Sequence, residues 1–138
     1  MKKIYYLDTS IWLDFFEQRD EPNLPKGEWA QILLEKIIED DDKILYSDST
    51  IFELKASGYS IHDIHTMFKS IKSVLLFTRA TKKQLGKAKD ISAKRKIPKR
   101  DALHALISRD YNATIVTLDK HFQKILDITK SKTPKELI

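Results

Sequence analysis

KIYYLDTSIWLDFF, residues 3–16, contains the change of pattern that decides the fold. Ile4 to Leu7 form an apolar, aromatic run that is typical of a β-strand. From Ile11 to Phe16 the apolar residues recur at helical spacings instead. Asp8 lies at the junction, just beyond the carboxyl end of the predicted strand. Because open α/β sheets bind their ligands at that edge, Asp8 is the first candidate functional residue.

The length and composition indicate one soluble globular domain spanning residues 1–138. The chain is 41% hydrophobic and 33% charged, and it has no cysteine, which excludes disulfides and thiolate metal sites. Its first apolar run ends at Asp8, too short for a signal peptide, and no stretch approaches the roughly 20 apolar residues of a membrane span. We therefore predict a cytoplasmic protein. A net charge of +5 allows a polyanionic partner.

Short strands alternate with helices along the chain, and this order predicts a parallel sheet covered by helices. The apolar strand at 73–77 is expected to be buried on both faces. The expected elements are strands at 43–46, 73–77 and 114–117, helices at 28–40, 81–96, 99–111 and 120–126, two helices between 47 and 68, an edge strand near 128–130 and an exposed loop at 18–27. The expected helix N-caps are Thr9 or Ser10, then Ser47, Ser49 or Thr50, then Ser60 and Thr81.

Four carboxylates fall at places where they can meet. Asp8 and Asp119 each follow a predicted strand, and Asp101 lies in the first turn of a helix. Glu53 sits in a helix among apolar residues, where an acid needs a partner. Clustered carboxylates repel one another unless a hard cation such as Mg²⁺ or Mn²⁺ joins them. Such ions can activate water for phosphodiester hydrolysis, so a metal-dependent nuclease is the natural use of this cluster.

Together, Leu7-Asp8-Thr9-Ser10, Phe52-Glu53-Leu54, Arg100-Asp101-Ala-Leu-His104 and Val116-Thr117-Leu-Asp119 resemble the PIN domain family. The similarity is greatest to the VapC-like toxins of toxin–antitoxin pairs, and it covers nearly the whole chain. It implies an α/β/α sandwich with a central, mainly parallel sheet of four to five short strands. It also implies Mg²⁺- or Mn²⁺-dependent endoribonuclease activity, an antitoxin partner and a homodimer.

The resemblance assigns a role to each acid. Asp8 and Asp101 would be the main magnesium ligands, and Glu53 would complete the site and help polarise the attacking water. Asp119 would coordinate a second ion or an outer-shell water. All four acids are present, so the motifs imply an active enzyme. Two hydroxyl residues match positions that hydrogen-bond the acids or the substrate phosphate: Ser10 and Thr117.

The densest basic stretch lies immediately before Asp101. It is open to two interpretations, a solvated helix face or an electrostatic surface for RNA. Its members are Lys87, Lys89, Lys94, Arg95, Lys96, Lys99 and Arg100, and the last five are the candidate RNA-binding residues.

The apolar helix at 11–16 must be buried, either in the core or against another chain. With the two helices between 51 and 68, it is the expected groove for an antitoxin. The remaining polar candidates are expected to be structural. They are Asp14 and the acidic run 39–42 facing solvent, His62 and His65 as a surface pair, His104 as a hydrogen-bonding or packing residue in the wall of the site, and His121 on the surface.

The chain lacks residues that two other α/β classes need. A receiver domain needs a phosphorylatable Asp after its central strand, but Phe77 is followed by Thr78-Arg79-Ala80. A phosphatase with an Asp nucleophile usually has a second acid two residues later, where this chain has Ser10. A PIN nuclease in RNA processing and a non-catalytic RNA- or partner-binding module on the same fold remain open alternatives.

Overall fold

A sheet of five parallel strands runs through the centre of the computed structural model, which describes residues 2–138. In chain order the strands are β1 (Ile4–Leu7), β2 (Asp20–Glu21), β3 (Leu24–Pro25), β4 (Lys43–Ser47), β5 (Leu75–Thr78), β6 (Thr114–Val116) and β7 (Lys130–Lys132). The spatial order is β5-β4-β1-β6-β7, so β1 is central, while β2 and β3 form a separate antiparallel pair. Tyr6 of β1 pairs with Leu45 on one side and Ile115 on the other.

Helices connect the strands, because parallel neighbours need a long crossover. They are α1 (Thr9–Glu17), α2 (Lys26–Glu39), α3 (Asp48–Ala56), α4 (Ile61–Lys69), α5 (Lys82–Arg95), α6 (Lys99–Asp110) and α7 (Pro134–Leu137). Short 3₁₀ helices cover Lys72–Val74 and Lys120–Ile125. The predicted α/β/α sandwich is confirmed, and the sheet is parallel throughout its five strands. No helix within residues 2–138 is long and apolar enough to cross a bilayer.

The alternating side chains of β1 build a separate core on each face of the sheet. Tyr5 and Leu7 point into the core formed with α1, α2 and α4, where Trp12 is completely buried. Tyr6 points into the opposite core, which α5 and α6 complete. This period of two fixes the position of Asp8 at the end of the central strand.

The helix starts were predicted correctly at three places and wrongly at one. Ser47, Ser60 and Thr81 each cap a helix through a reciprocal capping box. The N-cap of α1 is Asp8, and it makes no side-chain cap hydrogen bond. Thr9 already has helical geometry, and its hydroxyl turns toward another acid instead of capping.

Four element predictions need correction. The exposed loop predicted at 18–27 contains the antiparallel pair β2 and β3 and the first two residues of α2, of which Gly27 is buried. The strand predicted at 73–77 begins at Leu75 and lies at the sheet edge, where Phe77 is exposed, so it is not buried on both faces. The segment predicted as a last α-helix, 120–126, is a 3₁₀ helix. The edge strand expected near 128–130 is real but begins at Lys130.

Two acids expected in solvent are buried. Asp14 is 2% exposed, with Arg19 Nη1 at 3.9 Å from its Oδ1. Burial raises the pKa of Asp14, and the positive charges of Lys26 and Arg19 oppose that rise. Asp42 is also buried and accepts the backbone N–H of Lys3 at 3.0 Å. The acidic run 39–42 is therefore not solvated throughout.

Candidate metal centre

Adjacent strand ends bring the first two acids together. Asp8 follows β1 and Asp119 lies just beyond β6, its neighbour in the sheet. Asp101 reaches the same edge from the first turn of α6, and Glu53 reaches it from α3. All four line one open cleft with a volume of about 760 Å³. The structure thus brings together four predicted residues that are 111 positions apart at the extremes, from position 8 to position 119.

Two hydroxyl groups hold the buried carboxylate of Asp8. Ser10 Oγ and Thr117 Oγ1 each donate to Asp8 Oδ2 at 2.9 Å. The same Thr117 oxygen accepts the backbone N–H of Asp119 at 3.0 Å. Thr117 therefore links the two strand-end acids. The other oxygen of Asp8, Oδ1, takes no part in these contacts.

A histidine joins Asp101 and Asp119. His121 Nδ1 lies 3.1 Å from Asp101 Oδ2 and 3.2 Å from Asp119 Oδ1. The backbone N–H of His121 also donates to Asp119 Oδ1, at 2.9 Å. Ligand atoms of the three residues all lie within 4.8 Å of one another, and no other such group of three occurs in residues 2–138.

The surroundings of Asp101 disfavour its negative charge. Burial and the negative charges of Asp8 and Asp119 raise the pKa of Asp101 to about 6, although its hydrogen bond with His121 opposes the rise. A cation bound beside it would remove this penalty and keep the carboxylate ionised.

Glu53 has a different environment in the same cleft. Its Oε2 accepts from Thr9 Oγ1 at 2.9 Å and contacts His104 Nε2 at 2.6 Å. Arg100 Nε lies 3.7 Å from the other oxygen, Oε1. Burial opposes ionisation of Glu53, but the contacts with His104, Thr9 and Arg100 prevail and hold its pKa below the usual value. The protein itself therefore stabilises this carboxylate.

A buried chain of hydrogen bonds continues behind Glu53. His104 is 1% exposed, and its Nδ1 contacts the hydroxyl of Tyr6. That hydroxyl also contacts Ser47 Oγ at 2.7 Å and Thr50 Oγ1 at 3.3 Å. Because His104 Nε2 faces a carboxylate it acts as the donor, and in the neutral ring Nδ1 then accepts the Tyr6 proton. This chain fixes the ring and, through it, Glu53. Hydrogen bonding in the wall of the site was one of the roles expected of His104, and both ring nitrogens make such contacts.

The donor set fits a hard divalent cation. In residues 2–138, no N–H or O–H donates to Asp8 Oδ1, Asp101 Oδ1 or Asp119 Oδ2. Three carboxylate oxygens in one cleft without protein donors are the ligands that Mg²⁺ and Mn²⁺ prefer. Asp101 and Asp119 would hold such an ion, with Asp8 lining the same cleft, whereas Glu53 Oε2 already accepts from protein donors.

Only two of the five candidate RNA-binding residues line the cleft. Lys99 and Arg100 line the cleft. Lys94 and Lys96 are exposed at the end of α5, away from the cleft lining. Arg95 forms a bidentate salt bridge with Asp127, with Nη1 at 2.7 Å from Oδ1 and Nη2 at 2.9 Å from Oδ2. In this arrangement its guanidinium is not available to a phosphate.

Three residues of the site were not identified from the sequence. Beyond the strand and helix pattern, nothing in the sequence indicates that Thr9 and Tyr6 belong to the site. His121 was expected on the surface, and its side chain is indeed 46% exposed, yet it contacts two acids. Its position two residues after Asp119 was the one signal, since that spacing begins a helical turn. The pair His62 and His65 lies exposed on α4, as expected.

Comparison with known proteins assigns the family. The PIN domain model matches residues 5–127. No curated protein sequence matches the chain.

Solved structures share the fold over nearly the full chain. VapBC2 from Rickettsia felis, bound to a promoter DNA fragment, has a TM-score of 0.67 and 20% identity, covering 94% of this chain and 98% of that one. A toxin–antitoxin complex from Klebsiella pneumoniae has a TM-score of 0.66 and 17% identity, with 94% and 97% covered. VapBC-1 from nontypeable Haemophilus influenzae has a TM-score of 0.63 and 20% identity, with 96% and 98% covered.

The motifs, the parallel sheet and the acidic cleft agree with this assignment, since the family match spans the central strand and all four acids. The chain belongs to the PIN domain family.

Proposed function

We propose that this protein is a Mg²⁺- or Mn²⁺-dependent endoribonuclease and the toxin of a type II toxin–antitoxin pair. One observation carries the proposal: Asp8, Asp101 and Asp119 converge at the carboxyl edge of the sheet with oxygens that no described protein group satisfies. The raised pKa of Asp101 supports it, because a site without a cation penalises that carboxylate.

Each residue of the cleft has a separate role in phosphodiester hydrolysis. A bound divalent ion supplies charge stabilisation at the phosphate and a more acidic water. Asp101 and Asp119 would hold that ion with Asp8 at the same edge of the sheet, and Thr117 fixes Asp8 relative to Asp119. Glu53 stays ionised and orients the attacking water through Oε1, since Oε2 is occupied by Thr9 and His104. Lys99 and Arg100, at the cleft wall, attract the polyanion.

The partner proposal rests on exposed apolar side chains and on the similar complexes. α1 is mainly a core helix, since Ile11 and Trp12 are buried, but its partly buried Leu13 lines the cleft, so α1 forms only part of the expected groove. Phe52 of α3 is 74% exposed and lines the cleft with Leu85. Such side chains suit an apolar segment of an antitoxin that covers the site. The solved relatives with this fold include toxin–antitoxin complexes.

The direct test is cleavage of RNA by the purified protein with Mg²⁺, with Mn²⁺ and with chelator. We expect metal-dependent cleavage that Asp8→Asn and Asp101→Asn abolish. Asp90→Asn makes the same chemical change at an exposed position of α5 and should cut like the parent. DNA of the same sequence tests the substrate class. Equal cleavage by the parent and the Asp8 variant would trace the activity to a contaminant and contradict the proposed site.

The toxin assignment has its own test in cells. Induced expression should arrest growth, and co-expression of a small protein encoded beside the gene should restore it. Asp101→Asn should be harmless at the same expression level. Growth unaffected by the active parent would favour a nuclease in RNA processing.

A further inference from the structure

We propose that His121 is a nitrogen ligand of the metal held by Asp101 and Asp119, and that it biases the site from Mg²⁺ toward transition metals such as Mn²⁺ and Co²⁺. The inference rests on the metal site of the proposed function and adds a ligand of a different chemical class. It concerns which ion the site selects.

The position of the imidazole supports direct coordination. Its Nδ1 lies within hydrogen-bond distance of one oxygen from each acid. Because one ligand atom from each of the three residues lies within 4.8 Å of the other two, a single ion can contact all three residues. The ion takes the place of the Nδ1 proton, and the neutral ring then carries its proton on Nε2.

The backbone holds the ring at this place. Asp119 is the N-cap of the 3₁₀ helix Lys120–Ile125, and its carboxylate accepts the His121 N–H at 2.9 Å. In the next position, Phe122 is fully buried and anchors the same turn in the core. A side chain that is half-exposed is therefore attached to a fixed backbone, so little rearrangement is needed to bind an ion.

The choice of metal follows from the donor atoms. Mg²⁺ favours oxygen ligands and an octahedral shell, whereas an imidazole nitrogen raises the affinity for first-row transition metals. With carboxylates alone the site would discriminate little between Mg²⁺ and Mn²⁺. Adding His121 gives Mn²⁺ and Co²⁺ a contact that Mg²⁺ uses poorly.

Pulsed electron paramagnetic resonance of the Mn²⁺-loaded protein tests this assignment without any activity measurement. A coordinated imidazole adds ¹⁴N modulation to the Mn²⁺ echo. We expect that modulation in the parent and in the His62→Ala, His65→Ala double variant, and its loss in His121→Ala. Persistence of the modulation in His121→Ala, or its absence from the parent, would overturn the inference.

Calorimetric titrations give the second measurement. His121→Ala should weaken Mn²⁺ binding by about 10-fold or more, since even outer-shell partners of a metal contribute that much. Mg²⁺ affinity should change by less than about twofold. Tighter Mn²⁺ binding in the variant would show that His121 competes with the metal, and this also overturns the inference.

The resonance and titration measurements together separate this inference from the proposed function. Mn²⁺ binding that requires Asp8 but gives no ¹⁴N modulation rejects the His121 ligand and leaves the nuclease proposal standing. Mn²⁺ affinity that is equally weak in the parent and in Asp8→Asn rejects the metal site itself, and with it both proposals.

Discussion

The two sides of the cleft treat their carboxylates differently. On one side, Asp8, Asp101 and Asp119 keep oxygens without protein donors, and the pKa of Asp101 is raised to about 6. On the other side, Glu53 is surrounded by His104, Thr9 and Arg100, and its pKa is lowered. Acids that looked equivalent in the sequence motifs therefore differ in the protein partners available to their carboxylates. The first side needs a cation, whereas the second is already neutralised by the protein.

The largest expected effect separates metal binding from water orientation. Asp101→Asn should lower kcat/KM by about 10³-fold or more, because a metal contributes several kcal/mol to the transition state. Glu53→Gln should lower kcat by about 10- to 100-fold and leave Mn²⁺ affinity nearly unchanged. Calorimetry and single-turnover cleavage measure the two quantities. If Glu53→Gln lost the metal as completely as Asp101→Asn, the two sides would be one ligand shell.

The metal-free protein should show opposite pH dependences for the two acids. Asp101 has a folded-state pKa above its ordinary value of 3.8, so the stability that it contributes is present below pH 4 and lost as the pH rises through about 6. In chelator, Asp101→Asn should therefore be more stable than the parent at pH 7, by on the order of 3 kcal/mol, and equal to it near pH 4.

Glu53 has the reverse sign. Its pKa is lowered, so its contribution is present above its ordinary pKa of 4.5 and is lost as the pH falls through the folded-state value. Glu53→Gln should therefore be less stable than the parent at pH 7. Urea unfolding of both variants across pH 4–8 checks these signs. Two curves that shift in the same direction would remove the contrast between the two sides.

A smaller effect tests the hydrogen bonds behind Glu53. Tyr6→Phe removes a buried hydroxyl that contacts His104, Ser47 and Thr50, and it should cost about 1–3 kcal/mol of stability. Cleavage should fall several-fold in kcat, with unchanged metal affinity. Tyr5→Phe, in the opposite core, is the matched control. A loss confined to stability, with kcat unchanged, would limit the chain of hydrogen bonds to a structural role.

The smallest effect concerns the basic residues. Lys99→Ala, at the cleft wall, should reduce the slope of log affinity against log salt for RNA by about 0.7, as expected for one phosphate contact with a single strand. Lys94→Ala, outside the cleft lining, should leave it nearly constant. Filter binding with the inactive Asp101→Asn protein measures both. Equal slopes in all three proteins would exclude the cleft wall as the RNA path.

Much of the fold follows from local pattern. The switch from period two to helical spacing around Asp8 is visible in the sequence, and so are the capping residues Ser47, Ser60 and Thr81. The edge position of β5 is not visible, because Leu75 to Phe77 are as apolar as a buried strand would be. Composition reports what a strand can bury, and the order of strands in the sheet decides what it does bury.

Asp8 and Asp119 were expected together because strand ends converge, and Ser10 and Thr117 were expected to hydrogen-bond the acids, but other contacts of the acidic residues were not predicted. Asp14 is buried beside Arg19, which lies two residues after the end of α1. No periodicity in the sequence predicts this contact. The same holds for His121 and His104. The presence of an acid nearby in the sequence reveals neither the burial of the histidine nor its second contact. These properties depend on side-chain packing across elements, which a single sequence leaves open.

Thr117 has a consequence for which substitutions the protein tolerates. Its hydroxyl donates to Asp8 and accepts from the backbone of Asp119, while its own N–H pairs with Lys132 of β7. In a saturation-mutagenesis library, serine should therefore survive at position 117. Valine, similar in shape and better suited to a strand, should be depleted from the active pool. A preference for β-structure would rank these two residues in the opposite order.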